Sequence, residues 1–560
     1  MPRTGSPQLR SAVRGRFPLA ASAAWSHRWG ALAWVAGTGG FLAYFGIGYE
    51  TQIRSFEGGA AAFGIAATAV AQAMRPLSGP SDRLDTYGGY VTYHNASLVA
   101  LLLSLWALIQ GAQAIRGWEE RGGMELWLAT GRRRWIVVRD QWLGFGAALS
   151  AIALGVAIGF GAGAAVAEEP NWGGAAIVAA EIALVAGTFF ALGVVVTQVT
   201  STARAGAGLA TAVMVGLYLL GNLAPELGPF AWVRFFSPFF YFQQSRVLIP
   251  GYSVDYVATA VLAATATAPM AVAILAFGRR DIGGRLWPRD EAGSPASTPP
   301  CRVRIGTPWQ RDAWLADLRS QWLSISLWAL ASGVFMALIV AVAKQVASVW
   351  ESSDLIRQLF VRLPGTTFVD QYMGYVTILA ALAPVAFVVT EASRWVADLG
   401  EGRAEAQLSV FGSRSRLVLE WALSAVAGII VVSLAVLAGC LIGAASAGVE
   451  LRADSLVRTT AAATLLGSGI CGIALLAVVV FRSGFAVGAL AAALGIGFFV
   501  SVLAPLFRWP DWVVRLSPFD AFGTPYAAVP RPSGIALLAA LAVIGAAGAA
   551  LVARRRSSLS

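Results

Sequence analysis

The chain has 560 residues, 57% hydrophobic and 13% charged, with a mean hydropathy of +0.67 and a formal net charge of +11. Soluble domains carry about 25% charged residues, so a soluble globular protein is excluded. The charge is almost wholly arginine, Lys344 being the single lysine, and in so apolar a chain it marks positive-inside topology rather than a nucleic-acid partner.

Apolar runs of about 20 residues recur, enough to cross a hydrocarbon core of roughly 30 Å as helix. A barrel is excluded, because its segments are short and alternating. Residues 1–25 carry Arg3, Arg10, Arg14 and Arg16 without an acid. Their apolar piece, Phe17 to Ala24, is too short for a signal core, so a cytoplasmic tail is expected. The first span is expected over 29–49. An outside loop follows over 50–92, in which the apolar stretch 60–74 is suited to a helix lying on the membrane. Spans two to six are expected over 96–115, 142–166, 175–199, 206–223 and 256–277. Arg279, Arg280, Arg285 and Arg289 open the join at 278–320, and Gly293 to Pro300 reads as flexible linker. Spans seven to twelve are expected over 322–342, 375–389, 422–447, 459–480, 485–503 and 534–552, before the closing Arg554-Arg555-Arg556. Most Lys and Arg fall in the segments assigned inside, which puts both termini there.

The second half repeats the first at an offset of 280 residues (405 − 125). Gly122, Glu125, Leu128, Arg134 and Asp140 recur in register as Gly402, Glu405, Leu408, Arg414 and Glu420. Trp232, Ser237, Pro238, Phe239 and Phe242 recur as Trp512, Ser517, Pro518, Phe519 and Phe522. Two unrelated patterns at one offset mark a duplicated chain. An even number of spans in each half makes the repeats parallel, related by an axis along the membrane normal. The expected fold is an all-α polytopic membrane protein of about twelve transmembrane helices in two six-helix repeats. Residues 1–280 form the first, 281–320 a cytoplasmic linker and 321–560 the second.

The chemistry is sparse. A phosphate-binding P-loop ends in Lys-Ser/Thr after a Gly-rich turn, and Lys344 sits in Val342-Ala343-Lys344-Gln345. No Walker-type ATP site is therefore expected here, and any ATP-driven function needs a second polypeptide; no other cofactor site or catalytic group stands out. His27 and His94 lie far apart, as do Cys301, Cys440 and Cys471, so no metal site or disulfide framework is expected.

Two inside stretches stand out. Met124, Trp127 and Leu128 share one helix face, as do Ala404, Leu408 and Phe411, with Glu125 and Glu405 off that face. Arg132, Arg133 and Arg134 follow the first, and Arg414 and Arg416 the second. Such a helix either plugs into a cytoplasmic partner or rests on the lipid surface. Duplication favours the partner, since it offers two equivalent pegs to a two-fold one. Outside, the Ser-Pro-Phe segments break helix and gather aromatics, as a re-entrant lid or an interfacial anchor would. Glu181 is an ionisable group inside span four, a substrate or proton candidate, and its register partner is Ala461. Lys344, Arg357 and Arg362 flank span seven outside, where snorkelling accounts for them.

A Gly-x-x-Glu-x-x-Leu stretch, then a small residue and arginines before the next span, looks like the coupling helix of ABC-2 type ABC transporter permeases. The duplicated twelve-span form is similar to actinobacterial permeases of polyketide-antibiotic exporters, and the Arg279-Arg280-Asp281 exit after span six resembles them too. The usual Pro before the arginines is missing, replaced by Thr130-Gly131 and by Val410-Phe411-Gly412. The resemblance implies a permease in the bacterial cytoplasmic membrane, paired with two copies of a separate ATPase that holds ATP and Mg. Glu125 and Glu405 with their flanks would dock there, the Ser-Pro-Phe segments would form an outer lid, and the cargo would be a small hydrophobic natural product or drug. The alternative is a proton-coupled secondary transporter of the major facilitator type, whose basic loop Gly131-Arg132-Arg133-Arg134 resembles. Few intramembrane acids or bases are available for that coupling. A membrane-embedded enzyme would need clustered catalytic groups at one face.

Overall fold

Every regular element among the described residues is a helix, and twelve helices are long and apolar enough to cross a membrane. Hydrocarbon allows the backbone little else, because a helix satisfies its own N–H and C=O groups. In a computed structural model of the chain, the residues described are 18–55, 59–73, 79–286, 313–352, 367–400, 402–411, 413–507 and 509–555. The expected tail to residue 17, the linker 293–300, Arg289, Cys301, Arg357, Arg362, Arg556 and the side chain of Phe411 lie outside them. The chain divides into two compact units, Met1–Thr298 and Pro299–Ser560.

The first unit holds α1 (Pro18–Ser55), α2 (Gly59–Ala73), α3 (Tyr87–Glu120), α4 (Gly123–Leu128), α5 (Arg134–Val166), α6 (Trp172–Val196), α7 (Ala203–Leu223), α8 (Pro238–Phe242) and α9 (Tyr256–Arg279). Helix α6 is the most enclosed span. Its Phe189 and Phe190 are fully buried, and Phe190 stacks on Phe145 of α5 at 4.2 Å. Residues 18–25, expected in a tail, are the first turns of α1. They are held there because a Cβ on Gly144 of α5 would run into Ala20 and Ala23.

The second unit holds α10 (Ala313–Ser320), α11 (Trp322–Ala341), α12 (Ala343–Ser352), α13 (Phe368–Gly400), α14 (Arg403–Phe411), α15 (Arg414–Ala447), α16 (Ala453–Phe481), α17 (Gly484–Phe507), α18 (Asp511–Arg515), α19 (Pro518–Phe522) and α20 (Pro532–Arg555). Spans two and eight are much longer than expected. Helix α13 starts at a capping box between Thr367 and Asp370. Its far end runs through Glu391, Arg394 and Asp398, which pair with one another and so stay helical and buried. Helix α3 extends through Arg116 and Glu119 for the same reason.

In each unit the first and third spans cross at glycine. A Cβ on Gly159 would meet the carbonyl oxygen of Gly39, and one on Gly439 would meet that of Gly333. The third-span glycines are 280 residues apart (439 − 159), but the first-span ones are 294 apart (333 − 39). The stretch between the crossing points is thus 14 residues longer in the first unit (120 against 106). A single offset of 280 does not carry the first span.

Candidate functional site

Helices α4 and α14 are short because glycine isolates them. Gly122, the N-cap of α4, has φ 70°, and Gly402 before α14 has φ 73°. L-residues avoid that region at a cost of about 1–2 kcal/mol. A Cβ would touch nothing at either position, so backbone conformation alone selects glycine. Gly131 closes α4 at φ 77°.

The apolar face of each helix is seated on its own unit. Met124 and Ala404 are buried, Trp127 packs at a tilt on Trp118 with ring centroids 4.9 Å apart, and Leu128 and Leu408 are half-buried. Glu125 and Glu405 are exposed, and beside Glu125 stands Leu126, 72% exposed. The arginines separate in role. Arg133 is exposed and Arg132 half-buried. Arg134 turns inward and donates to the carbonyls of Phe277 and Arg280 at 3.2 and 2.5 Å. Arg414 opens α15, and Arg416 pairs with Glu420 at 2.9 Å. Glu420 also accepts from the Trp314 N–H at 2.6 Å, capping α10, whereas buried Asp140 pairs with Arg139 at 2.6 Å.

Next to each of these helices lies a buried cluster of charges. In the first unit Glu119 takes Arg116 and Arg280, each at 2.8 Å, with all three side chains at most 2% exposed. Arg116 also donates to the Thr200 carbonyl, and Arg280 Nε donates to Gln198 at 2.7 Å. Burial lowers the Arg280 pKa and the Glu119 hydrogen bond raises it, the first effect being larger. In the second unit Arg394 contacts Asp317 at 2.8 Å, Glu391 at 2.8 Å and Asp398 at 3.4 Å. Asp398 pairs in turn with Arg403 of α14 at 2.8 Å, and Asp317 accepts from Ser424 at 2.6 Å. Sequence reasoning missed both clusters, treating such arginines as topology markers. The readable signal was acid and base at i, i+3 and i, i+4 on one helix: Arg116 and Glu119, then Glu391, Arg394 and Asp398.

At the opposite end of each unit lie the Ser-Pro-Phe helices α8 and α19. Pro238 and Pro518 take the first helical position, where no N–H is needed. Phe239 stacks on Phe189 at 5.3 Å, and Phe519 meets Phe498 at 5.5 Å. Ser237 and Ser517 are buried. Ser517 Oγ accepts from the Phe519 N–H at 3.1 Å and donates to the Gly497 carbonyl at 2.8 Å. Trp232 and Trp512 point outward, 55% and 67% exposed. Inserted phenylalanines thus fasten each segment while its tryptophan faces the surroundings. Glu181 is buried in α6, where Oε1 accepts from Thr259 at 2.6 Å and Ser245 also lies at the carboxylate.

Residues 43–282 match the family described as ABC-2 family transporter protein. Residues 315–554 match the C-terminal domain of the multidrug efflux system permease Rv1217c. The two matches between them span most of the chain, one in each unit. No curated protein matches it.

Proposed function

Because this chain is an ABC-2 type permease, with one match of a multidrug efflux kind, we propose that it is the membrane-spanning subunit of an ATP-driven exporter. Two copies of a separate ATPase hold ATP and Mg, and the cargo is a small hydrophobic natural product or drug-like compound. The arginine-rich end of each unit faces the cytoplasm, as do both termini. The matches do not favour the secondary-transporter alternative.

One observation carries the reading. Helices α4 and α14 each start from a left-handed glycine, seat an apolar face on their own unit and hold a glutamate outward. A partner pressing on Glu125 or Glu405 pushes on a short, fixed lever, because Met124 and Ala404 are already packed. A helix resting on lipid would need its apolar face free for the bilayer, and here Met124 and Ala404 of that face are packed against their own unit. Gly122, Leu128, Arg132 and Arg133, with Gly402, Leu408, Arg414 and Arg416, form the flanks of the two docking points. Arg134 belongs to the internal grip on the α9 exit. Segments α8 and α19 act as outer lids, anchored by Phe239 and Phe519.

The test is purification of the tagged chain from its own membranes in mild detergent. Two ATPase copies per chain are expected, and Glu125→Arg combined with Glu405→Arg should release them. An intact, abundant chain without an ATPase would refute the proposal.

A further inference from the structure

The two charge clusters are not copies of each other. In the second unit the linked positions are Asp317, Glu391, Arg394, Asp398 and Arg403. Shifted back by 280, the last four become Gly111, Ala114, Trp118 and Gly123. The counterpart of Asp317, 294 residues earlier, is Ala23, which lies against Gly144 just as Asp317 lies on Ser424. The reverse substitution holds at four positions of the first unit. Arg116, Glu119, Gln198 and Thr200 of the first unit correspond to Val396, Leu399, Val478 and Val480. At these positions one unit has a charged or polar residue where the other has a small or apolar one.

The partners joined also differ. Arg394 holds Asp317 with both terminal guanidinium nitrogens, at 2.8 and 3.1 Å, which fixes orientation as well as distance. Through Asp398 and Arg403 the same hub grips the first residue of α14. Asp317 continues the chain to α10 and, by Ser424, to α15. In the first unit Glu119 passes its carbonyl to the Gly122 N–H before α4, and its carboxylate to Arg280 beyond α9. Arg280 reaches Gln198 and Arg116 reaches Thr200, both in the turn ahead of α7.

We infer that the two docking helices, on the reading that they bind an ATPase, drive different parts of their units. Movement of α14 is delivered through Asp398, Arg394 and Asp317 to α10 and α15. Movement of α4 is delivered through Glu119 and Arg280 to the α9 exit and the turn before α7. Arg394 and Glu119 are positioning residues, and the two docking points are not interchangeable.

The experiment uses the full chain with its co-purifying ATPase, with Cys301, Cys440 and Cys471 replaced by serine. One reporter cysteine is placed at exposed Ser320 of α10, or at exposed Arg285 beyond α9. Maleimide labelling rates are compared with and without ATP plus vanadate. Both reporters should respond to nucleotide. Asp317→Asn should abolish the response at 320 and keep it at 285, whereas Asp317→Glu should keep both. Glu119→Gln should abolish the response at 285 and keep it at 320. The retained response in each variant certifies folding and ATPase binding. Loss of both responses together, or of neither, with the ATPase still bound overturns the inference. Failure of any ATPase to co-purify overturns the docking reading, and this inference with it.

Discussion

Arg394 is the side chain whose removal should hurt most. Its guanidinium serves Asp317, Glu391 and Asp398 at once while only 16% exposed. Arg394→Met leaves three largely buried carboxylates with Arg403 as the one cation still paired to them among the described residues. Breaking a buried pair by removing one partner costs about 3–5 kcal/mol, since the remaining charge stays uncompensated. In a unit of this size that lowers the melting temperature by on the order of 10 °C. Arg394→Lys keeps the charge but loses the two-pronged hold on Asp317, so its loss should be smaller. Combining Arg394→Met with Glu391→Gln should recover part of the loss, because the second change removes one stranded charge. The assay is thermal unfolding of the purified chain in detergent, scanned at one fixed rate since membrane proteins often unfold irreversibly. If Arg394→Met melts like Arg319→Met, a change at an exposed position of α10, the cluster does not stabilise the unit and the reasoning fails.

Other consequences can be measured alongside. Gly122→Ala and Gly402→Ala should each cost about 1 kcal/mol, felt locally as faster amide exchange in α4 or α14 with little change elsewhere. Unchanged exchange would mean that the left-handed turns do not hold these helices. Burial raises the pKa of Glu169, whose carboxylate accepts from the Tyr87 N–H at 3.1 Å in the turn between α5 and α6. A carboxyl group raised on folding binds its proton more tightly in the folded state, so its contribution is present at low pH and is lost as pH rises through the folded pKa. Glu169→Gln should therefore flatten the fall of melting temperature with rising pH above about 4.5, and an unaltered slope would refute this. Glu181→Gln keeps an acceptor for Thr259 and should leave the melting temperature unchanged while slowing export, because an ionisable group inside a span is a functional candidate. Export at the unmodified rate would remove Glu181 from the transport path.

Hydropathy made twelve spans legible, and the paired Gly-x-x-Glu and Ser-Pro-Phe patterns marked the segments at the two ends of each unit. It failed where charge enters helix. The ends of α3 and α13 look like loops because Arg116, Glu119, Glu391, Arg394 and Asp398 count as polar one by one, and only folding shows them neutralising each other. The start of α1 was hidden likewise, since Ala20 and Ala23 carry no strong signal until Gly144 lies beneath them. Arg134 was grouped with Arg132 and Arg133 by adjacency, yet one helical position turns it inward. The 294-residue spacing of the first spans went unseen because glycine-on-carbonyl contact leaves no motif.

That contact has a mechanical meaning. Where Gly159 meets the backbone of Gly39, and Gly439 that of Gly333, backbone lies directly on backbone. Two rods touching at their cores behave as one beam. Any reshaping of a unit during a work cycle must carry its first and third spans together, with bending left to helices that meet their neighbours through side chains. A covalent staple between α1 and α5, or between α11 and α15, is accordingly expected to leave turnover intact, and a staple that stalls it would show the beam to be a joint.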